Sequence, residues 1–84
     1  MNDTNSKYSI EEENLSVTPN PAIYTITIHC SIPIKEVSIF NVDGLLMLQT
    51  TQMQIDISRF PLGIYIIRAV TKDGQILQTK IIHK

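Results

Sequence analysis

The chain is 84 residues long with a formal net charge of −1, which allows one small domain and argues against a nucleic-acid binder. Its single cysteine, Cys30, excludes an internal disulfide, and no apolar run approaches the roughly 18–20 residues that a membrane helix needs. Charge is uneven along the chain: residues 1–22 carry Lys7 against Asp3, Glu11, Glu12 and Glu13, whereas residues 68–84 carry Arg68, Lys72, Lys80 and Lys84 against Asp73.

Residues 1–13 are polar and acidic and read as a linker in front of a domain spanning 14–84. The start, "MNDTNSKYS", lacks the apolar core of a secretory signal. The chain is therefore expected to be either cytosolic or an excised C-terminal piece. "NLSVTP" (14–19) is a short strand stopped by proline. "AIYTITIHC" (22–30) alternates, which places Tyr24, Ile26, Ile28 and Cys30 on a core face and Thr25, Thr27 and His29 on the other. "SIPIK", with Pro33, is a loop or bulge.

"EVSIFNV" (36–42) is the next strand, ended by Asp43–Gly44, a pair suited to a tight hairpin because glycine adopts positive φ at no steric cost. "LLMLQT" (45–50) pairs back, "QIDIS" (54–58) is short, and "RFPL" is a turn. "GIYIIRAVT" (63–71) is the longest strand, and Asp73–Gly74 reverses it into "QILQTKIIHK" (75–84). About seven short strands with regular turn signals and no helical periodicity predict an all-β, immunoglobulin-like antiparallel sandwich, with a small barrel as the alternative.

Catalytic or metal chemistry is not expected. His29 and Cys30 are adjacent on a strand, so they point to opposite faces and form no dyad. His83 lies next to the C-terminus, and two histidines with one cysteine at these spacings fit no zinc pattern. Glu11–Glu13 form a solvated run, Asp43 and Asp73 are turn residues, and Asp56 lies between Ile55 and Ile57, pointing outward. No cofactor site is read, and the chain is expected not to be an enzyme.

Three stretches are more particular. In "TPNPA" (18–22), Pro19 stops a strand, Asn20 supports a turn and Pro21 starts an extended segment. In "IDISRFPLGIY", Phe60 can plug the end of the sandwich, Gly63 permits a sharp strand entry, and Tyr65 reads as a core aromatic whose hydroxyl bonds loop backbone. In "KIIHK", Lys80 and Lys84 share a strand face about 13 Å apart. They serve either to protect an edge strand or as a basic docking tail.

In this order, "PNPA", "VSIFNVDG", "IDISRFPLGIYIIRA" and the terminal "KIIHK" resemble the type A C-terminal sorting domain of the type IX secretion system of Bacteroidota, over residues 15–84. The resemblance implies an immunoglobulin-like sandwich at the C-terminus of a larger cargo protein. It also implies an address read by the outer-membrane translocon after export to the periplasm, then removed by a sortase. The product is secreted or held at the cell surface. By position, Pro19, Asn20 and Pro21 match the family's entry motif, Gly44 its hairpin glycine, Gly63 and Tyr65 its Gly-x-Tyr, and Lys80 and Lys84 the basic residues of its last strand. Phe60 stands where the family usually has leucine. Cleavage is expected in the lead-in before Leu15, and recognition by edge pairing of the last strand.

The other reading is a non-catalytic accessory sandwich, structural or ligand-binding. With Tyr24, Tyr65 and Phe60 assigned to the core, only Tyr8 and Phe40 remain for a sugar-stacking platform. One feature stays open: Ile64 and Ile66 give the long strand a second apolar face. The lead-in, a weak homodimer partner or a receptor would cover it.

Overall fold

The computed structural model describes residues 14–84. The expectations for the linker, Tyr8 and Glu11–Glu13 lie outside the described residues. Seven strands follow in chain order: β1 (Leu15–Thr18), β2 (Thr25–Cys30), β3 (Ile34–Asn41), β4 (Leu46–Thr50), β5 (Gln54–Asp56), β6 (Gly63–Thr71) and β7 (Ile76–His83). They form two antiparallel sheets, β1-β2-β5 and β4-β3-β6-β7. The first, second and fifth strands thus oppose the other four, with the chain crossing between layers. This is the immunoglobulin-like sandwich, and the sheets do not close into a barrel.

The period-2 pattern explains the packing. Leu15, Val17, Ile26, Ile28 and Ile55 point inward from the three-stranded sheet, and Ile57 follows them from the loop after β5. Val37, Ile39, Tyr65, Ile67, Ala69, Leu77 and Ile81 answer from the other sheet. Ile26, Ile39 and Ile67 are wholly shielded from solvent. Branched side chains fill such a layer well because their restricted rotamers suit a pleated surface.

Two bulges adjust the register. Ile39 pairs with Leu48 and Phe40 with Leu46, so Met47 is the extra residue; Ile34 pairs with Thr71 and Glu36 with Val70, so Lys35 is extra. The second bulge falls on the expected "SIPIK" segment, although β3 already begins inside it.

β2 differs from expectation. It begins at Thr25, and Tyr24 is 70% exposed rather than part of the core. The backbone leaves the β2 line between Ala22 and Tyr24: Ala22 pairs in parallel with His83 of β7, while the Tyr24 carbonyl, at the end of the β2–β5 register, accepts the Ile57 N–H at 2.9 Å. Alternation counted through this segment therefore assigns Tyr24 to a face it does not occupy. Ile26 and Ile28 are buried as expected, and Cys30 is half-buried against the core. His29 is exposed, its Nε2 2.7 Å from the Thr18 hydroxyl.

Both Asp-Gly turns form, with Gly44 at φ 84° and Gly74 at φ 92°. In the first, Asn41 does the capping: its Oδ1 accepts the N–H groups of Asp43 and Leu45, both at 2.9 Å. In the second, the fully buried Thr71 hydroxyl donates to Asp73 and accepts the Gln75 N–H at 2.8 Å.

The Asp73 carboxyl is held below its ordinary 3.8 by the Thr71 hydroxyl first and the Gln75 side-chain amide second. Its folded value lies under its unfolded one, so its stabilisation is complete at neutral pH and fades as pH falls below about 4. Asp73→Asn should lower stability in urea denaturation at pH 7, with the difference from wild type shrinking as pH drops through that range.

Candidate functional site

β7 is an edge strand of the four-stranded sheet. Such an edge leaves alternate N–H and C=O groups unpaired. Along its second half this protein supplies the missing partners from the loop between β1 and β2. Ala22 donates its N–H to the Ile82 carbonyl at 2.7 Å and accepts the Lys84 N–H at 2.9 Å. Asn20 extends the pairing with its side chain. Its Oδ1 accepts the Ile82 N–H at 3.0 Å, and its Nδ2 donates to the Lys80 carbonyl at 3.2 Å.

A primary amide carries the same donor and acceptor as a peptide group, so Asn20 acts as one more link of a ladder. Pro19 and Pro21 flank it, and both X-Pro bonds in the loop are cis.

Beneath this clasp sits His83, 3% exposed. Its Nδ1 donates to the Ala22 carbonyl at 3.1 Å, while its Nε2 is buried without a partner. The Tyr65 ring packs 6.4 Å from the His83 ring, and Phe60 packs tilted against Tyr65 at 5.6 Å. The Tyr65 hydroxyl donates to the Pro61 carbonyl, the loop-backbone bond expected of it. Gly63 pairs with His83 at φ 150°, a backbone shape that disfavours side chains.

The eight residues singled out from the sequence therefore share one end of the sandwich. Pro19, Asn20, Pro21, Gly63, Tyr65, Lys80 and Lys84 gather around the clasp. Gly44 is at the same end but across the sheet, in the β3–β4 hairpin, since Asn41 of β3 pairs with Tyr65. The Lys80 and Lys84 side chains are exposed, and only their backbones take part in the clasp.

Edge pairing by a receptor along Lys80–Lys84 is corrected by this geometry, because the chain itself occupies that part of the edge. His83 and Asn41 were not singled out. His83 shares its parity with the apolar Leu77 and Ile81, which is the signal that marks it as inward.

Among the described residues no cluster of His, Cys, Asp and Glu is placed to hold a metal ion, and no helix is long and apolar enough to cross a membrane. A concavity of about 510 Å³ lies at the opposite end, lined by Cys30, Pro33, Met53 and Lys72 among others. It holds none of the eight residues.

The family model for the secretion system C-terminal sorting domain matches residues 16–84. No curated protein matches the chain. The solved structure of CopC from Methylosinus trichosporium OB3b is similar over 82% of this chain and 90% of that one, at 13% identity and a TM-score of 0.46. That likeness is too distant to carry an argument.

The clasp makes a local prediction. Asn20→Ala removes two hydrogen bonds at a solvent-accessible site and should cost about 1–2 kcal/mol. Amide exchange at Ile82 should accelerate far more than at Ile67, measured by hydrogen–deuterium exchange NMR; equal acceleration at both would mean that Asn20 does not act through the β7 edge.

Proposed function

The chain belongs to the secretion system C-terminal sorting domain family, and from that premise we propose that residues 14–84 are the address label of a cargo protein joined at their N-terminal side. The type IX machinery reads the folded label at the outer membrane. A sortase then cuts in the lead-in before Leu15, and the cargo is released or retained at the cell surface. The label acts by recognition, without catalysis.

The observation that carries this reading is the clasp. Three stretches far apart in sequence, each weak as a motif, meet at one end and present Lys80 and Lys84 on a fixed frame. The proposed cut also suits the fold. It falls upstream of Leu15, the first buried residue of β1, so removal of the cargo leaves the sandwich whole.

A ligand-binding accessory module draws some support from Tyr24, exposed beside Pro19, Pro21 and Ile23 in a hollow of about 320 Å³. Stacking on sugars favours a broad aromatic platform. Tyr24 adjoins the three-stranded sheet, while Phe40 belongs to the other sheet and has the Arg68 guanidinium 4.7 Å above its ring. The two do not form one platform.

The test fuses the chain to an exported reporter in a host with a working type IX system. The reporter is expected at the cell surface, and mass spectrometry is expected to find a cut before Leu15. Reporter left in the periplasm of that host would overturn the reading.

Deleting residues 80–84 would not isolate the lysines. It removes Ile81, 1% exposed, together with His83 and the clasp, and loss of one such core side chain alone costs about 2–5 kcal/mol. The double substitution Lys80→Ala/Lys84→Ala leaves the backbone pairing intact. It should melt near the wild-type temperature and reduce surface delivery severalfold.

A further inference from the structure

The outer face of the four-stranded sheet carries apolar side chains that the core does not explain. Register puts Leu46, Phe40, Ile66 and Lys80 in one row across the sheet, and Ile64 and Ile82 side by side in the row toward the clasp end. Val42 follows Phe40 by two residues and shares with it, Ile66, Arg68 and Gln78 a groove of about 380 Å³. Val42, Leu46, Ile64 and Ile82 are 67%, 47%, 42% and 46% exposed. Contiguous apolar surface of this kind marks an interaction site more often than chance.

The charges beside it are mostly positive. Lys80 lies in the patch, the exposed Lys84 follows Ile82 by two residues, and Arg68 lines the groove. Glu36 appears only in the far row, paired with Val70. Asp43 adjoins Val42 in the hairpin and offsets one of the three cations.

The acidic run Glu11–Glu13 of the lead-in and a second copy are disfavoured as occupants by geometry and charge. Asn14 lies at the other end of the sandwich, where its carbonyl accepts the Ser31 N–H at 3.3 Å. Glu11–Glu13 are one to three residues from it, a reach of at most about 11 Å, whereas the length of β7 separates that end from Lys84. A second copy packed face to face would bring the three cations of each copy into one interface, because a two-fold contact uses the same patch twice.

We propose that this face, resting on the sorting reading above, is the docking surface for the secretion machinery, and that the partner presents apolar side chains ringed by carboxylates. Apolar burial supplies the affinity, and Lys80, Lys84 and Arg68 select an acidic partner.

The test compares surface delivery of the reporter fusion for wild type, Ile64→Ser/Ile82→Ser, Lys80→Glu/Lys84→Glu, Lys80→Gln/Lys84→Gln and a control, Ser16→Asp, on the outer face of the three-stranded sheet. The isoleucine pair should lower delivery at least tenfold while melting close to wild type. The glutamate pair should lower it further than the glutamine pair, and the control should deliver normally. If the isoleucine pair melts early, Val42→Asp carries the same test at a more exposed side chain.

Normal delivery by a folded isoleucine or Val42 variant overturns the docking face while leaving the sorting function standing. Failure of the wild-type fusion itself overturns both. Normal delivery by the glutamate pair overturns the acidic partner. A wild-type dimer in sedimentation that the isoleucine pair abolishes makes the face a contact between copies and overturns the proposal.

Discussion

The structure depends on how the exposed edge of its last strand is completed. An edge strand must find partners for its outward N–H and C=O groups, and water is the default. Here the second half of β7 finds them in the β1–β2 loop, through the Ala22 backbone and the Asn20 amide. That pairing joins the two sheets at one end, seats His83 beneath the loop and aligns the exposed side chains of Lys80 and Lys84. Three of the four sequence stretches that resemble the family meet because this one edge is completed.

The completed edge also bears on the mode of recognition. With that half of the edge occupied, the clasp end exposes side chains of the sheet face rather than free peptide groups. A face read by side chains can discriminate by charge and shape. An open edge accepts almost any extended chain.

Much of the fold was legible in the sequence. β6 runs Gly63–Thr71 as its alternation implied, both Asp-Gly turns form, and Tyr65 bonds loop backbone as its setting suggested. Local pattern sufficed there because each feature is decided by neighbours in the chain. Tyr24 was misplaced because period-2 reading assumes one continuous strand, and the chain changes partners between Ala22 and Thr25. The function of Asn20 was hidden for a related reason. A turn residue was evident, but its amide is spoken for by a strand 60 residues away. Of the site, eight residues were named from the sequence and His83 was not, and their common location came only from the structure.

The clasp is closed by backbone groups of Ile82 and Lys84 against a loop near the start of the domain. A polypeptide stalled, or trimmed by a protease, before Ile82 lacks those groups and leaves the loop unsupported. Its β7 edge stays open, and Lys84 is missing from the face. The clasp therefore closes only in a chain that extends through Lys84.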